Sequence, residues 1–208
     1  MRVLVIGAAG RLGRLIVQTT LERGHKVTAF VRRGFDMKHP NLDVAIGDVM
    51  DSDTLDVPMA GKEAVICSLG IAPVKQEVEL FSEGTSHVIR CMTRHNARRF
   101  ICITGIGTGE SKGHGGEFST QILNSPGLQL VYKDKTRQEE LIRYCNRDWI
   151  AVRPAQLTDG PAIGRYAMLK EVRGVQTTSI SRADVANFCA DQLVSNKFLY
   201  QFPILTNE

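Results

Sequence analysis

The chain lacks most features that would take it out of the ordinary globular class. None of its apolar runs approaches the ~18 residues a membrane-spanning helix needs, which excludes a helical membrane protein. Its five cysteines (Cys67, Cys91, Cys102, Cys145, Cys189) are odd in number, widely spaced and without a CxxC pair. Neither a disulfide framework nor a zinc site is expected from them, and all five read as reduced thiols, with no metal implied. The 26 basic and 22 acidic residues leave a net charge of +4 and are scattered, apart from Arg32-Arg33 and Arg98-Arg99. Without a basic stripe or tail, no nucleic-acid partner is expected. Strand-like sequence begins at Arg2, which leaves no room for a secretory leader, so the expected location is cytoplasmic.

What is present is 208 residues, 43% hydrophobic and 23% charged. That is enough for one substantial core and too little for two ordinary domains with a linker, so one domain over residues 1–208 is predicted. Short runs rich in Val, Ile and Leu alternate with stretches of helical periodicity, the pattern of a parallel sheet covered on both faces. Strands are predicted at residues 2–6, 26–31, 43–46, 64–68, 99–104 and 149–152, and helices near 12–23, 51–57, 77–95 and 133–145. A further helix begins at Ser181, whose hydroxyl can cap a first turn completed by Asp184. The fold class is therefore α/β, a Rossmann-type doubly wound parallel sheet. Six glycines fall within residues 105–116, which reads as a mobile loop between two strongly patterned segments.

The stretch from Val3 to Gly13 is a buried strand, a tight turn and a helix start. Gly7 permits the turn, Gly10 lets backbone approach a pyrophosphate, and Gly13 lets helix and strand pack closely. The helix N-terminus then offers free N–H groups to phosphate. The alternative is a glycine turn with no ligand, but an N-terminal strand before it and an amphipathic helix after it favour a dinucleotide site. The second strand ends in Arg32-Arg33, where an NAD site would present an acid to the ribose. A guanidinium there pairs with a 2′-phosphate instead, so NADP(H) is the expected cofactor. Asp36 lies too far along to substitute for that acid, and Arg11 is expected to add to the positive pocket. The plainer alternative is that both arginines are solvated at a strand end.

These motifs together with Gly47-Asp48-Val49, Ser68-Leu69-Gly70, the run from Asp148 to Pro154 and the run from Ser181 to Ala186 resemble the atypical short-chain dehydrogenase/reductase branch. The nearest relatives in that branch are the NmrA-like and flavin reductase (biliverdin-IXβ reductase-like) proteins. The resemblance implies that Asp48 and Val49 lie against the adenine, that Ser68, Leu69 and Gly70 pass beneath the cofactor with Leu12 at the turn, and that Pro154 borders the nicotinamide. Asp48 as a helix cap and Pro154 as a strand stop remain the structural alternatives.

The short-chain reductase pattern places a Ser after the fifth strand and a Tyr four residues before a Lys. Here Thr104 stands at the Ser position, and Lys135 follows Tyr132 by three residues. Thr104, Tyr132 and Lys135 are the catalytic candidates, with Lys135 expected at the cofactor ribose and Tyr132 alternatively lining the substrate. His114 in the glycine loop is a further candidate donor; His25, His39, His87 and His95 read as surface residues. Carbonyl reduction needs a placed acid, whereas a flavin or quinone can take its proton from water. The expected function is an NADPH-dependent oxidoreductase acting on a small aromatic or conjugated substrate, with pocket elements in residues 105–127 and 154–180. The alternative is an NADP-sensing, NmrA-like regulator without catalysis. Monomer and dimer are both compatible with the sequence.

Overall fold

Val3, Leu4, Val5 and Ile6 are buried on both faces of their strand, which happens only in the middle of a sheet covered on both sides. The computed structural model describes residues 1–207 and places this strand, β1 (Arg2–Ile6), near the centre of an eight-stranded sheet. The chain continues through α1 (Arg11–Glu22), β2 (Lys26–Val31), β3 (Leu42–Ile46), a 3₁₀ turn, α2 (Asp56–Met59) and β4 (Ala64–Cys67). Then come α3 (Leu80–Arg94), β5 (Arg99–Ile103), α4 (Glu117–Asn124), α5 (Pro126–Tyr144), β6 (Asp148–Pro154), β7 (Gln156–Thr158), β8 (Ala167–Leu169), β9 (Ser179–Ser181), α6 (Arg182–Asp191) and β10 (Ile204–Thr206).

The sheet order is β3-β2-β1-β4-β5-β6-β10-β8. All neighbours are parallel except β8, which runs antiparallel to β10. β7 and β9 form a separate parallel pair. The order reverses between β1 and β4, the switch point at which doubly wound folds bind their ligands. Alternate residues of β1 serve the two faces: Val3 and Val5 pack with Ile16 and Val17 of α1 and Val185 and Phe188 of α6. Leu4 and Ile6 pack with Val88 and Met92 of α3 and Ile142 of α5.

The helix boundaries follow their caps. Ser125 Oγ accepts from the Leu128 amide and Pro126 opens the first turn, so α5 starts seven residues before the expected Lys133. Ser181 Oγ accepts from the Asp184 amide at 3.0 Å, the cap foreseen for α6. The expected helix at residues 51–57 resolves into a 3₁₀ turn and the single turn of α2. No helix among the described residues is long and apolar enough to cross a membrane.

The first part of the glycine segment departs from the expectation of a mobile loop over residues 105–116. Thr104, Gly105, Ile106, Gly107 and Thr108 are all buried. Their backbone is tied down: the Ile106 amide donates to Pro154 O at 3.1 Å and the Gly107 amide to Ser111 Oγ at 2.9 Å.

Candidate functional site

The strand register brings the carboxyl ends of β1, β4, β5 and β6 into one row, with Ile6 opposite Cys67, Cys67 opposite Cys102 and Ile103 opposite Val152. Gly7, Ser68, Thr104 and Pro154 therefore follow one another along this edge.

Gly7 has φ +76°, and a Cβ on it would stand 2.4 Å from Ser68 O, so both its backbone and its neighbour demand glycine. Gly10 has φ −68° and ψ 159° and acts as the N-cap of α1 with no side-chain cap. Only Gly7 O lies within 4 Å of where its Cβ would be. No side chain caps the first amides of α1, and a helix start left uncapped suits a pyrophosphate. Leu12 is buried in the core beneath the turn.

At the adenosine end, Arg32 and Arg33 are exposed, and neither enters an ion pair or side-chain hydrogen bond among the described residues. Asp36 is bound by Arg14, whose guanidinium also lies 4.8 Å over the Phe35 ring. The acid nearest to Arg32 and Arg33 along the chain is thereby engaged. Arg11 departs from expectation: its Nη1 pairs with Asp159 at 2.8 Å, and Arg182 reaches the same carboxylate at 2.7 Å. It serves as a strap between the glycine turn and the loop after β7, so it does not add a free charge to the pocket.

Asp48 Oδ1 accepts from the Met50 amide at 3.0 Å, closing the turn after β3. Val49 is 4% exposed and its side chain belongs to the core with Leu4 and Phe30. His87, expected at the surface, is half-buried, with its Nδ1 2.9 Å from Val49 O. His95 is likewise half-buried, against Asp56 at 2.9 Å. Ser68 packs on Gly7, Leu69 packs near Gly84 of α3, and Gly70 stands in open space.

Two walls flank the edge. The loop after β4 forms a shallow, open hollow of about 460 Å³ lined by Ile71, Val74, Val78 and Leu80 together with the polar Lys75, Gln76, Glu77 and Glu79. It is pressed against the start of α5, where a Cβ on Gly127 would lie 2.7 Å from Val74 O. On the other side, buried Asp184 accepts from the amides of Ile163 and Gly164 at 2.9–3.1 Å, fastening the loop that Asp159 also straps.

The catalytic candidates are brought together, but in an arrangement the sequence did not suggest. The Thr104 hydroxyl is turned inward, 2.7 Å from Glu139 Oε1 and 3.2 Å from Val152 O, so it is committed inside the protein and does not face an acceptor. Lys135 is 8% exposed; its Nζ donates to Thr104 O at 2.5 Å and lies 4.7 Å over the Phe81 ring. Burial pulls this ammonium below the usual lysine range, opposed by nearby Cys102 and Glu139. Tyr132 lies over Gly105 and Gly107, and its hydroxyl has no hydrogen-bond partner among the described residues. Burial pushes its phenol above the usual tyrosine range. His114 is half-buried, its backbone amide donating to Ser111 O at 3.0 Å.

Glu139 and Arg153 were missed as a unit. Arg153 is fully buried; its Nε and Nη2 meet Glu139 at 2.9 and 2.6 Å, and Nη1 and Nη2 meet Glu110 at 3.1 and 3.0 Å. Despite burial, these two carboxylates hold its pKa above the usual arginine value. A signal existed in the sequence: Glu139 stands four residues after Lys135 and seven after Tyr132, on their helix face.

A family model described as NAD(P)H-binding matches residues 7–196. A chloroplastic Arabidopsis thaliana protein described as uncharacterized is 28% identical over 209 residues, covering 94% of this chain and 73% of its own. Among solved structures, ChuY of Escherichia coli O157:H7, an anaerobillin reductase, gives a TM-score of 0.80 at 19% identity, over 100% of this chain and 97% of its own. That likeness is one of fold. A Streptococcus pneumoniae protein described as a proposed NADH-flavin reductase gives 0.78 at 25% identity over 100% of each chain.

Proposed function

The chain belongs to the NAD(P)H-binding family, and from that premise we propose that it is an NADPH-dependent oxidoreductase that passes hydride to a flavin, quinone or similar conjugated acceptor. The observation that carries the choice of acceptor is the state of Tyr132. Its ring is half-buried over Gly105 and Gly107, its hydroxyl makes no hydrogen bond among the described residues, and Lys135 directs its ammonium to the Thr104 carbonyl. An acceptor that must receive a placed proton is poorly served by such a site. A conjugated ring that takes its proton from water needs only to be held in contact, which the hollow beside Ile71 and Val74 favours.

The residues present fit a dinucleotide. Gly7, Gly10 and Gly13 and the uncapped amides of α1 would hold the pyrophosphate, and Arg32 or Arg33 the 2′-phosphate that distinguishes NADP(H) from NAD(H). The bound nicotinamide supplies the hydride. Ser68 to Gly70, Pro154 and the segment from Thr104 to Gly107 would shape the edge on which it and the acceptor meet, between the two walls. The regulatory reading has no need of these walls. The test is to follow NADPH oxidation by the purified protein with a panel of flavins, quinones and small aldehydes. Turnover with the first two classes and none with aldehydes is expected. Turnover confined to aldehydes would overturn the acceptor, and binding of NADPH without turnover of any acceptor would favour a sensor.

A further inference from the structure

Four side chains of α5, Tyr132, Lys135, Thr136 and Glu139, recur at a spacing of three, four and seven residues and so share one helix face. Each meets the segment that follows β5. The Tyr132 ring covers Gly105 and Gly107, Lys135 Nζ donates to Thr104 O, and Thr136 Oγ1 accepts from the Gly109 amide at 3.1 Å. Glu139 Oε1 receives the hydroxyls of Thr104 and Thr108 at 2.7 and 2.6 Å, and Arg153 clamps the same carboxylate from β6.

We propose that Glu139 is a positioning residue of the reductase site, and that with Arg153 as its counter-charge it holds the segment from Thr104 to Thr108 in the one conformation that hydride transfer requires. The inference rests on the function proposed above. Its physical basis is that a buried ion pair is an expensive way to gain stability, since well-packed apolar side chains often do as well. What such a pair supplies here is uniqueness. Gly105, Gly107 and Gly109 have φ values of +154°, +105° and +49°, so this backbone has many alternatives once its anchors are gone. A misplacement of about 1 Å at a reacting edge can cost two orders of magnitude in rate.

The experiment compares Glu139→Gln and Thr108→Val with the parent protein. Single-turnover hydride transfer, NADP⁺ affinity and the affinity for 2′,5′-ADP are measured together. β2, which leads to Arg32 and Arg33, is separated from β5 by β1 and β4, so 2′,5′-ADP reports the adenosine end alone. Both variants are expected to slow transfer at least about tenfold and to weaken NADP⁺, with 2′,5′-ADP affinity within about twofold of the parent. A fall in 2′,5′-ADP affinity in step with NADP⁺, or an unchanged transfer rate in a folded variant, would overturn the assignment. Thr108→Val leaves the Glu139–Arg153 pair intact and decides the matter if Glu139→Gln does not fold. A parent that oxidises no NADPH defeats the reductase reading by itself, and the split between NADP⁺ and 2′,5′-ADP affinity still reads the anchoring.

Discussion

A Cβ on Gly13 would stand 2.1 Å from the carbonyl oxygen of Gly7. Both atoms belong to backbone that cannot swing aside, so Gly13→Ala is expected to destabilise the fold by about 2–3 kcal/mol or more. Gly10 differs, since its backbone angles admit any residue and its nearest neighbour lies 3.3 Å away. Gly10→Val should fold normally and lose NADPH binding. Urea unfolding and calorimetric titration of the two variants separate these effects, and normal NADPH affinity in Gly10→Val would mean the cofactor lies elsewhere.

Arg32 and Arg33 are expected to set cofactor preference because no acid among the described residues pairs with them and Asp36 is occupied by Arg14. Replacing both with Ala should weaken NADPH by ~2–4 kcal/mol, as two charge-assisted hydrogen bonds would, and leave NADH nearly unchanged. Equal affinity of the parent for the two cofactors in a calorimetric titration would refute this.

Glu110 provides a pH-dependent contribution with a definite sign. Burial alone would raise its pKa, but hydrogen bonding and charge from Arg153 outweigh burial and hold it below its ordinary value of 4.5. A carboxylate depressed in the folded state stabilises the fold above its unfolded pKa, and that contribution fades as pH falls through the folded value. Glu110→Gln should therefore be less stable than the parent near neutrality, with the difference shrinking below about pH 4.5. Urea midpoints at several pH values give the comparison, and a difference constant down to the acid limit would contradict the pairing.

The parts of the fold set by local patterning were legible. Strands 2–6 and 26–31 coincide with β1 and β2, and the Ser181 cap stands where its hydroxyl and Asp184 required. The short strands β7 to β10 were not foreseen, because three residues such as Ile204 to Thr206 carry no periodicity and become a strand only by pairing with β6 and β8. At the site, the glycine turn was legible because its geometry is local. Glu139 was not, since a charged residue within a helix normally reads as solvent-facing, and its burial is explained by partners outside the helix, Arg153 and the hydroxyls of Thr104 and Thr108. Thr104 was located correctly along the chain, but the direction of its hydroxyl depended on that same unseen carboxylate.

The last prediction weighs Tyr132 against Thr104. The Tyr132 phenol is raised by burial, unpaired, and without a free lysine to acidify it, so it is a poor proton donor. If the acceptor is a flavin or quinone, Tyr132→Phe should lower single-turnover transfer less than about tenfold, the loss of at most a positioning contact of ~1 kcal/mol. A general acid would cost about 100-fold or more on the same change. Thr104→Val removes the hydroxyl that joins the end of β5 to Glu139 and leaves Lys135 its carbonyl partner, so its effect reaches the reacting edge through the backbone. Thr104→Val is thus expected to lose more than Tyr132→Phe, and to lose it in the transfer rate more than in NADPH affinity. A larger loss at Tyr132, with a fall in rate at alkaline pH that disappears in Tyr132→Phe, would replace this mechanism with carbonyl reduction.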